Sequence, residues 1–425
     1  MPDRNHMTEI GSTGLERHAG IVHEEFLPQL TGDRALHIYQ EMSNNDPVIG
    51  AILFAIDMLV RRVPWFVDSA DEEEPNIQAA EFVESLIEDM SLNWRDVISE
   101  IMSMLVYGFS FHEIVYKQRL GNAQKDPAKR SKFDDGLIGW RKLPIRAQTT
   151  RQRWEFDDNG GIEGMWQIAP PRYDQRFIPI TKALLFRTQV RKNNPEGRSI
   201  LRNAYRPWYF KKNIEEIEGV GIERDLAGLP VAHVPPELLD PSCSASERAI
   251  LSAIKDIVTN IRRDEQEGVV FPLAYDENGN KMYDLELLSA GGARQFDTDA
   301  VIGRYDQRMA MTVLADFILL GHENVGSFAL GKGKTELFGD ALQTWLDSIA
   351  EVFNQEAIPR IFELNNMDTE ELPKLRPGQI QTPDIQALAD YISKLSGTGM
   401  PIWPDRTLED YLREIASLPQ REEED

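Results

Sequence analysis

The strongest constraint on the fold comes from residues 294–363, which have the pattern of two long helices separated by a glycine-rich segment. Apolar side chains recur there at three- and four-residue steps, the spacing that places them on one face of a helix. They are Ile302, Tyr305, Met309, Val313, Phe317 and Leu320 in the first half, and Phe338, Leu342, Trp345, Ile349, Val352 and Phe353 in the second. The pattern predicts one helix over 295–321 and another from about Glu336 to Glu363. Trp345 and Phe353 are therefore assigned to the core rather than to a platform that stacks bases.

The segment between the two helices, HENVGSFALGKGKTE, is predicted to be a loop. Gly326, Gly331 and Gly333 weaken regular structure across it. Lys332 and Lys334 lie in the same segment, and a flexible loop rarely needs lysine in order to fold. These two lysines are candidate functional residues, and a solvated surface loop is the competing explanation.

Length and composition limit the possible classes of protein. A chain of 425 residues exceeds the size at which one hydrophobic core keeps growing, so two or more subdomains are expected. No apolar run reaches the roughly 18 residues of a transmembrane helix, and the N-terminus does not resemble a signal peptide. Cys243 is the only cysteine, which excludes an intrachain disulfide and a cysteine-based metal site. We expect a soluble protein made in the cytoplasm, with no membrane partner.

The charge of the chain is strongly acidic but unevenly distributed. The formal net charge is −24, which argues against binding phosphates over the whole surface. Residues 117–212 nevertheless carry 22 Lys and Arg against 9 Asp and Glu, a net charge of +13, so the remainder carries −37. Two explanations stay open for the basic region: complementary charge between subdomains or neighbouring subunits, and a contact surface for nucleic acid.

A small β subdomain is predicted with the preceding helices packed against it, and this separation of strands from helices indicates the α+β fold class. Residues 1–45 are polar and weakly periodic, so they are predicted to form an arm that is ordered only through contacts. The helix that begins at Pro47 is apolar nearly all round and is predicted to be buried. FSFHEIVYK, at 109–117, is a strand candidate, and DDNGG at 157–161 predicts a hairpin turn within a β subdomain over 133–190.

The second half of the chain is predicted to continue with a basic helix and a β-α-β-β insertion. A helix over 199–226 is expected to be interrupted at Pro207. The insertion covers 229–291, and residues 376–418 have the pattern of helix, turn and helix ahead of an acidic tail. The cations that give the helix a basic stripe are Arg198, Arg202, Arg206, Lys211 and Lys212.

No motif indicates catalysis, a cofactor or a metal. GKGKT at 331–335 resembles a phosphate-binding loop, GxxxxGK[ST], but one frame has Phe328 in place of the first glycine. The other frame has Gly333 where Ser or Thr is required to bind magnesium. The seven histidines show no ligand spacing, and Cys243 lies in no nucleophile context. We therefore predict that the protein is not an enzyme.

The order of four segments resembles that of portal proteins of tailed bacteriophages, in particular the Mu-like branch. The segments are YGFSFHEIVYK at 107–117, GRSILRNAYRPWYFKKN at 197–213, GIERDLAGLPV at 221–231 and the second long helix. The resemblance covers roughly residues 40–365, and the arm over 1–45 is assigned to no named part of a portal. It implies a ring-forming portal fold with long stem helices and with β structure in the wing and clip. The implied parts are a wing at 46–197, a stem helix at 198–226, a clip at 227–291, a second stem helix at 292–320, a tunnel loop at 321–335, a long wing helix at 336–375, and a small crown with an acidic tail at 376–425.

The resemblance also implies a function and a set of partners. A portal forms a ring, usually of twelve subunits, at one capsid vertex, and double-stranded DNA passes through it during packaging and ejection. The implied partners are the large subunit of terminase, head–tail adaptors, and the major capsid and scaffold proteins. The implied location is the virion, after assembly in the host cytoplasm. Lys332 and Lys334 would then face DNA in the tunnel loop, and Arg202 and Arg206 would face neighbouring subunits in the stem.

Two competing interpretations have different signatures. A P-loop-like nucleotide-dependent enzyme would hydrolyse ATP, and a monomeric DNA-binding adaptor would bind short duplexes in a salt-sensitive way. A ring would instead show a mass many times that of one chain.

Overall fold

The computed structural model describes residues 11–227, 229–260, 274–275, 279, 281–288, 297–312, 328–367, 371–380 and 394. The α+β prediction is confirmed: helices and small antiparallel sheets alternate along the chain. The helices are α1 (Gly32–Asn45), α2 (Pro47–Arg62), α3 (Glu74–Glu88), α4 (Trp94–Ile101), α5 (Met104–Tyr107), α6 (Tyr205–Ala227), α7 (Ala245–Asn260), α8 (Thr298–Thr312), α9 (Phe328–Val352) and α10 (Ile358–Asn365). The strands are β1 (Arg17–His18), β2 (Ile21–Val22), β3 (Trp65–Asp68), β4 (Phe109–Glu113), β5 (Val115–Gln118), β6 (Ile138–Lys142), β7 (Arg151–Phe156), β8 (Ile162–Ile168), β9 (Gln175–Pro179), β10 (Ala183–Arg187), β11 (Leu229–His233), β12 (Asp284–Leu288) and β13 (Lys374–Pro377).

The chain divides into two compact units. The first contains Met1–Tyr205 and Arg308–Asp425, and the second contains Arg206–Gln307. In the first unit, β3 pairs with β13, β4 with β10 and β5 with β6, while β7, β8 and β9 form a three-stranded sheet. In the second unit, β11 pairs with β12 in an antiparallel register, and α7 lies between these strands in sequence.

Capping and turn geometry explains several element boundaries, two of which the sequence predicted. The Asp46 side chain accepts hydrogen bonds from the backbone N–H groups of Val48 and Ile49 at 3.0 Å, so α2 begins as predicted. Gly108 ends α5 with a φ of 93°, a left-handed conformation. Glycine adopts it readily, whereas residues that carry a Cβ are strained there. Between β7 and β8, the Asp157 side chain accepts from the N–H of Gly161 at 2.6 Å and closes the predicted hairpin.

The first unit has two cores that lie on opposite faces of the β4–β10 sheet. Phe109 and Phe111 of β4 pack with Trp154 and Met165 on one face. The neighbouring residues of β10, Leu184 and Phe186, belong to the larger core on the other face. Successive side chains of a strand point to opposite faces, so one two-stranded sheet serves both cores. The larger core also receives apolar side chains from α2, α3, α4, α9 and α10.

The N-terminal region is structured to a greater extent than predicted. Residues 32–45 of the predicted arm form α1, whose Leu36, Tyr39 and Met42 are buried. Their spacing places all three on one face of the helix. Most of the residues around them are polar, so this short amphipathic pattern is hard to recognise in the sequence. The prediction for α2 was also wrong in part. Ile49, Ile52 and Ile56 are buried, but Phe54 on the opposite side is 66% exposed in the single chain.

The second long helix begins earlier than the glycines indicated. The predicted loop extended to about residue 335, whereas α9 starts at Phe328 and includes Lys332 and Lys334. A glycine inside a helix costs only about 1 kcal/mol, and extension of an existing helix avoids the cost of nucleation. The packed part of α9 therefore stabilises its glycine-containing N-terminal turns. Residues 313–327, which include the first half of the predicted loop, lie outside the described residues.

The far end of this helix also differs from a single rod. After α9 the chain makes a π-helical turn at Phe353–Ala357 and then continues as α10. Phe353 is fully buried, while Trp345 is only partly buried at the edge of the larger core. Residues 374–377 form β13 on β3, so the predicted boundary between 375 and 376 falls inside a strand. Apart from Lys394, the predicted helix–turn–helix beyond 380 lies outside the described residues.

Two predictions for the second unit are modified. Pro207 does not interrupt α6, because it occupies the first turn, where no intrahelical N–H donor is needed. The predicted strand pair at the end of the insertion is described only as β12 and a bridge between Tyr275 and Lys281.

α8 begins where Asp297 accepts a hydrogen bond from the N–H of Ala300 at 3.0 Å. Among the helices within the described ranges, none is both long and apolar enough to cross a lipid bilayer.

His112 of β4 is fully buried and gives the fold a pH dependence. Its Nδ1 lies 2.9 Å from the carbonyl oxygen of Leu143, so the neutral ring donates there, and Nε2 has no partner in the described structure. Burial lowers the pKa of His112 to about 4, although the bond to Leu143 acts in the opposite direction. The folded state thus binds fewer protons than the unfolded state between about pH 4 and pH 6.5.

We expect this histidine to destabilise the fold as the pH falls through that window. Neutral His112 makes its full contribution to the free energy of unfolding above about pH 6.5. Between pH 7 and pH 5 the free energy of unfolding should fall by about 2 kcal/mol as this contribution is lost. Urea unfolding at several pH values will measure this change. In His112→Gln, the free energy of unfolding should fall less steeply between pH 7 and pH 5. The exposed His37→Gln is the matched control and should retain it. Identical slopes for His112→Gln and the unmodified chain would contradict the assignment.

Candidate functional site

Many cations of the basic region 117–212 are already paired within the chain. Arg119 lies 2.8 Å from Asp135, and Lys192 lies 3.1 Å from Glu24. Further pairs are Lys117–Asp89, Arg146–Glu113, Arg151–Glu196, Arg153–Glu155, Arg202–Glu25 and Lys211–Asp306. In five of these eight pairs the carboxylate lies outside residues 117–212, so side chains elsewhere in the chain neutralise part of the net charge of +13.

A polar cleft of about 320 Å³ lies in the first unit, between the N-terminal segment and the turns that follow β10. Arg202, one of the predicted stem residues, is on its wall and makes a two-point contact with Glu25. Arg202 Nε lies 2.6 Å from Glu25 Oε2, and Arg202 Nη2 lies 2.7 Å from Glu25 Oε1. This bidentate geometry is the strongest that an arginine and a carboxylate adopt. In the single chain, Arg202 is therefore used to hold residues of the predicted arm.

The titration of Glu25 reflects the same contact. Partial burial would raise the pKa of Glu25, but hydrogen bonds from Arg202 and from the backbone N–H of Leu27 hold it below its usual range. Glu25 therefore stays charged, and the ion pair persists down to acidic pH.

A second arginine, Arg151, also lines the cleft. The Arg151 side chain is 3% exposed, pairs with Glu196, and lies 3.4 Å from Asp33 of α1. Trp154 also donates to Glu196, with Nε1 to Oε1 at 3.2 Å. These partners are 45 and 118 residues from Arg151, so no local sequence pattern signals them. This network therefore could not be predicted from the sequence.

Arg206, the other predicted stem residue, has a different environment. It belongs to the second unit, is exposed on α6, and lies over the ring of Phe210 at 5.8 Å. α6 and α8 run antiparallel within this unit, because Lys211 pairs with Asp306 at 2.7 Å and Glu218 bonds to Thr298. Lys211 is nearly fully buried, so the charge pair fixes the register of the two helices.

α6 also exposes large apolar side chains. Ile217 is 71% exposed, and Tyr209, Phe210 and Val220 are each more than two-fifths exposed. Their positions span three turns of the helix. A monomer would leave this apolar surface in water, whereas a neighbouring molecule packed against α6 would bury it.

Lys332 and Lys334 are placed in the N-terminal turns of α9 rather than in a loop. The described structure does not include the positions of their side chains, so the predicted contact with DNA stays a prediction. Within the described residues, no three His, Cys, Asp or Glu side chains are grouped in a way that would hold a metal ion.

Comparison with known proteins gives a family and a fold. The family model described as the portal protein of Mu bacteriophage matches residues 36–415. A chain from the virion of a native gene transfer agent particle is similar with a TM-score of 0.50 and 10% identity, covering 91% of this chain and 94% of that chain. A chain from the neck of the native gene transfer agent particle, computed with C12 symmetry, also has a TM-score of 0.50 and 10% identity, with 90% and 94% covered.

A further solved structure is an HK97 family phage portal protein from Corynebacterium diphtheriae. It has a TM-score of 0.42 and 13% identity, covering 85% of this chain and 96% of that chain. At these identities, the two structures with a TM-score of 0.50 show a similarity of fold.

We expect Arg202→Gln to loosen the N-terminal segment without unfolding the chain. The change removes both charged hydrogen bonds to a partly buried carboxylate, which should cost about 1–3 kcal/mol. Hydrogen exchange should become faster over residues 16–31, with Arg206→Gln as the matched control. In the unmodified chain the same segment should loosen only at a pH below the usual pKa range of a glutamate, because the hydrogen bonds from Arg202 and Leu27 lower the pKa of Glu25. Unchanged exchange in Arg202→Gln would contradict this role.

Proposed function

This chain belongs to the family of Mu bacteriophage portal proteins, and from that membership we propose that twelve copies close into a ring around a channel for double-stranded DNA. The family match over residues 36–415 carries the proposal. The similarity in fold to a chain in a neck computed with C12 symmetry supports the number of copies. The exposed apolar side chains of α6 support contacts between copies, because a ring gives every copy the same two neighbours.

The parts of the ring are proposed from chain position. We assign 46–197 and 336–375 to the wing, 198–226 and 292–320 to the stem, 227–291 to the clip and 376–425 to a small crown with an acidic tail. The tunnel loop is proposed over 321–335, of which the residues from Phe328 onward are helical. The antiparallel pair α6 and α8 supports the stem, since the two helices lead away from the first unit and back to it in sequence.

The proposed location is one vertex of the capsid in the virion, reached after assembly in the host cytoplasm. The proposed partners are the large terminase subunit during filling, head–tail adaptors afterwards, and the major capsid and scaffold proteins during assembly. We propose no catalytic role for the chain itself, so the energy for DNA movement comes from the terminase. Neither alignment of the segment around Gly331 and Gly333 with the phosphate-binding motif GxxxxGK[ST] is complete, which supports assigning the energy source to the terminase.

The acidic balance of the chain suits a channel through which DNA slides. Each phosphate contact holds the duplex and releases counterions, so a surface with many cations would retain DNA instead of passing it. Lys332 and Lys334 are proposed as a weak grip on the backbone at the narrow part of the channel. Two lysines per copy give contacts that form and break as the duplex moves.

The purified chain should have a native mass near twelve times 48.5 kDa. Native mass spectrometry with negative-stain images should show a closed ring with a central hole, and co-expression with scaffold and capsid proteins covers the case where assembly needs them. A monomer or dimer under both conditions, binding short duplexes or hydrolysing ATP, would contradict the ring and favour the adaptor or the enzyme.

Removing the two proposed DNA contacts should affect DNA and not assembly. Rings of Lys332→Ala with Lys334→Ala should form normally, since α9 is held by its later turns. Packaged DNA should then be retained less well, because two phosphate contacts are lost from every copy. Lys374→Ala, an exposed lysine of β13, is the control variant. Packaging and retention equal to those of the unmodified protein would remove the two lysines from the site.

A further inference from the structure

The connection between β5 and β6 is a long basic loop with a fixed backbone. Residues 119–137 link two strands that pair with each other, whereas a hairpin usually needs only two to five residues. Long ordered loops in compact domains are commonly functional. We call residues 119–137 the basic loop, because Lys125, Lys129, Arg130 and Lys132 lie near its middle.

One anchor of the basic loop is a buried ion pair at the end of α3. Lys117 Nζ lies 2.9 Å from Asp89 Oδ2, and both side chains are 3% exposed. Lys117 Nζ also donates to the carbonyl oxygen of Arg130 at 3.0 Å, and Asp89 accepts from Ser131 Oγ at 2.6 Å and from the N–H of Lys132 at 2.8 Å. The pair therefore fixes the backbone that carries two of the exposed cations.

The second anchor is Arg119, which is also buried. It pairs with Asp135, donates to Ser85 Oγ of α3 at 2.8 Å, and stacks over the Phe133 ring at 4.0 Å. A buried charge is costly unless all its partners are in place. The buried charges of Lys117 and Arg119 therefore hold the basic loop in one conformation. The loop should lose little conformational entropy when a partner binds it.

The cations of the basic loop have few partners in the chain. Lys125, Lys129, Arg130 and Lys132 are all exposed. Lys129 lies 3.6 Å from Asp126, with both side chains about half in water. For the other three cations, no carboxylate of the described residues lies within ion-pair distance. An anionic partner would find a preformed cluster of positive charge.

The same unit carries an acidic surface at the other end of α3. Asp71, Glu72, Glu73 and Glu74 are all exposed at its N-terminal end, and α3 contains no basic residue. Asp71 is used locally, because it accepts from the N–H of Glu73 and from Asn76. A helix of 15 residues is roughly 22 Å long, so this acidic end and the Asp89 anchor of the basic loop are widely separated.

We propose that the basic loop of one copy docks on the acidic end of α3 in the next copy. The inference rests on the proposed ring and names a contact that would hold neighbours in register. Two complementary patches at opposite ends of one helix make a head-to-tail interface, the type that closes into a ring when the rotation between copies allows it. Every copy carries both patches, so a ring would bring a basic loop and an acidic helix end together in the same way at each interface.

Charge reversal on each side, alone and combined, tests the contact. One variant carries Lys129→Glu, Arg130→Glu and Lys132→Glu, and the other carries Glu72→Lys, Glu73→Lys and Glu74→Lys. Each places like charges opposite each other and should lower the ring fraction in native mass spectrometry about tenfold or more. A chain with all six changes restores opposite charges and should recover its rings. The matched control is Arg172→Glu, Arg176→Glu and Arg191→Glu, which reverses three exposed cations elsewhere and should leave the rings intact.

The possible outcomes separate this contact from the ring itself. Rings that persist in both triple variants would overturn the contact and leave the proposed function standing. Loss in both variants without recovery in the combined chain would also overturn it, provided near-ultraviolet circular dichroism shows folded subunits. If the loop variant keeps its rings and instead binds a short duplex more weakly, the loop is a nucleic-acid surface and the proposal is wrong. Absence of rings from the unmodified chain, even with scaffold and capsid proteins, would overturn the contact together with the proposed function.

Discussion

The burial of Phe353 is the packing interaction on which the first unit depends. Its ring lies 5.1 Å from that of Trp94, 6.1 Å from Trp140 and 5.6 Å from Phe186, so it joins α4, β6 and β10. Residues 206–307 are inserted as the second unit, and the chain must return to complete the core that it left. Phe353 belongs to the returning segment, at the start of the π-helical turn. Aromatic contacts between residues more than 150 positions apart therefore close the unit around its insertion.

The β4–β10 sheet extends this arrangement to the second core. Phe186 touches Phe353 on one face, while Leu185 points into the smaller core on the other. His112 lies on the Phe353 side, against the ring of Phe186. A protonated His112 would place an unpaired charge in the larger core, so the same burial that joins the two cores also makes the unit sensitive to acid.

The elements that sequence predicted correctly have signals confined to a few residues. The start of α2 at Pro47 and the turn at 157–161 depend on neighbours within about four positions. The pair Arg202–Glu25 joins residues 177 positions apart, and nothing near either residue identifies its partner. The start of α9 was misplaced for a related reason, since tertiary packing of its later turns overrides the local weakness of the glycines. Family resemblance supplied the function that no single motif indicated.

Charge and apolar surface have different roles in the proposed ring. Twelve copies of net charge −24 repel one another at long range, so electrostatics alone would oppose assembly. That repulsion acts across distances comparable to the screening length of about 10 Å at 0.1 M salt, whereas ion pairs in contact are screened much less. Apolar side chains such as Ile217 supply an attraction that salt does not weaken. Assembly should thus draw its free energy from apolar burial and its register from local charge pairs, with salt easing the approach of the acidic copies.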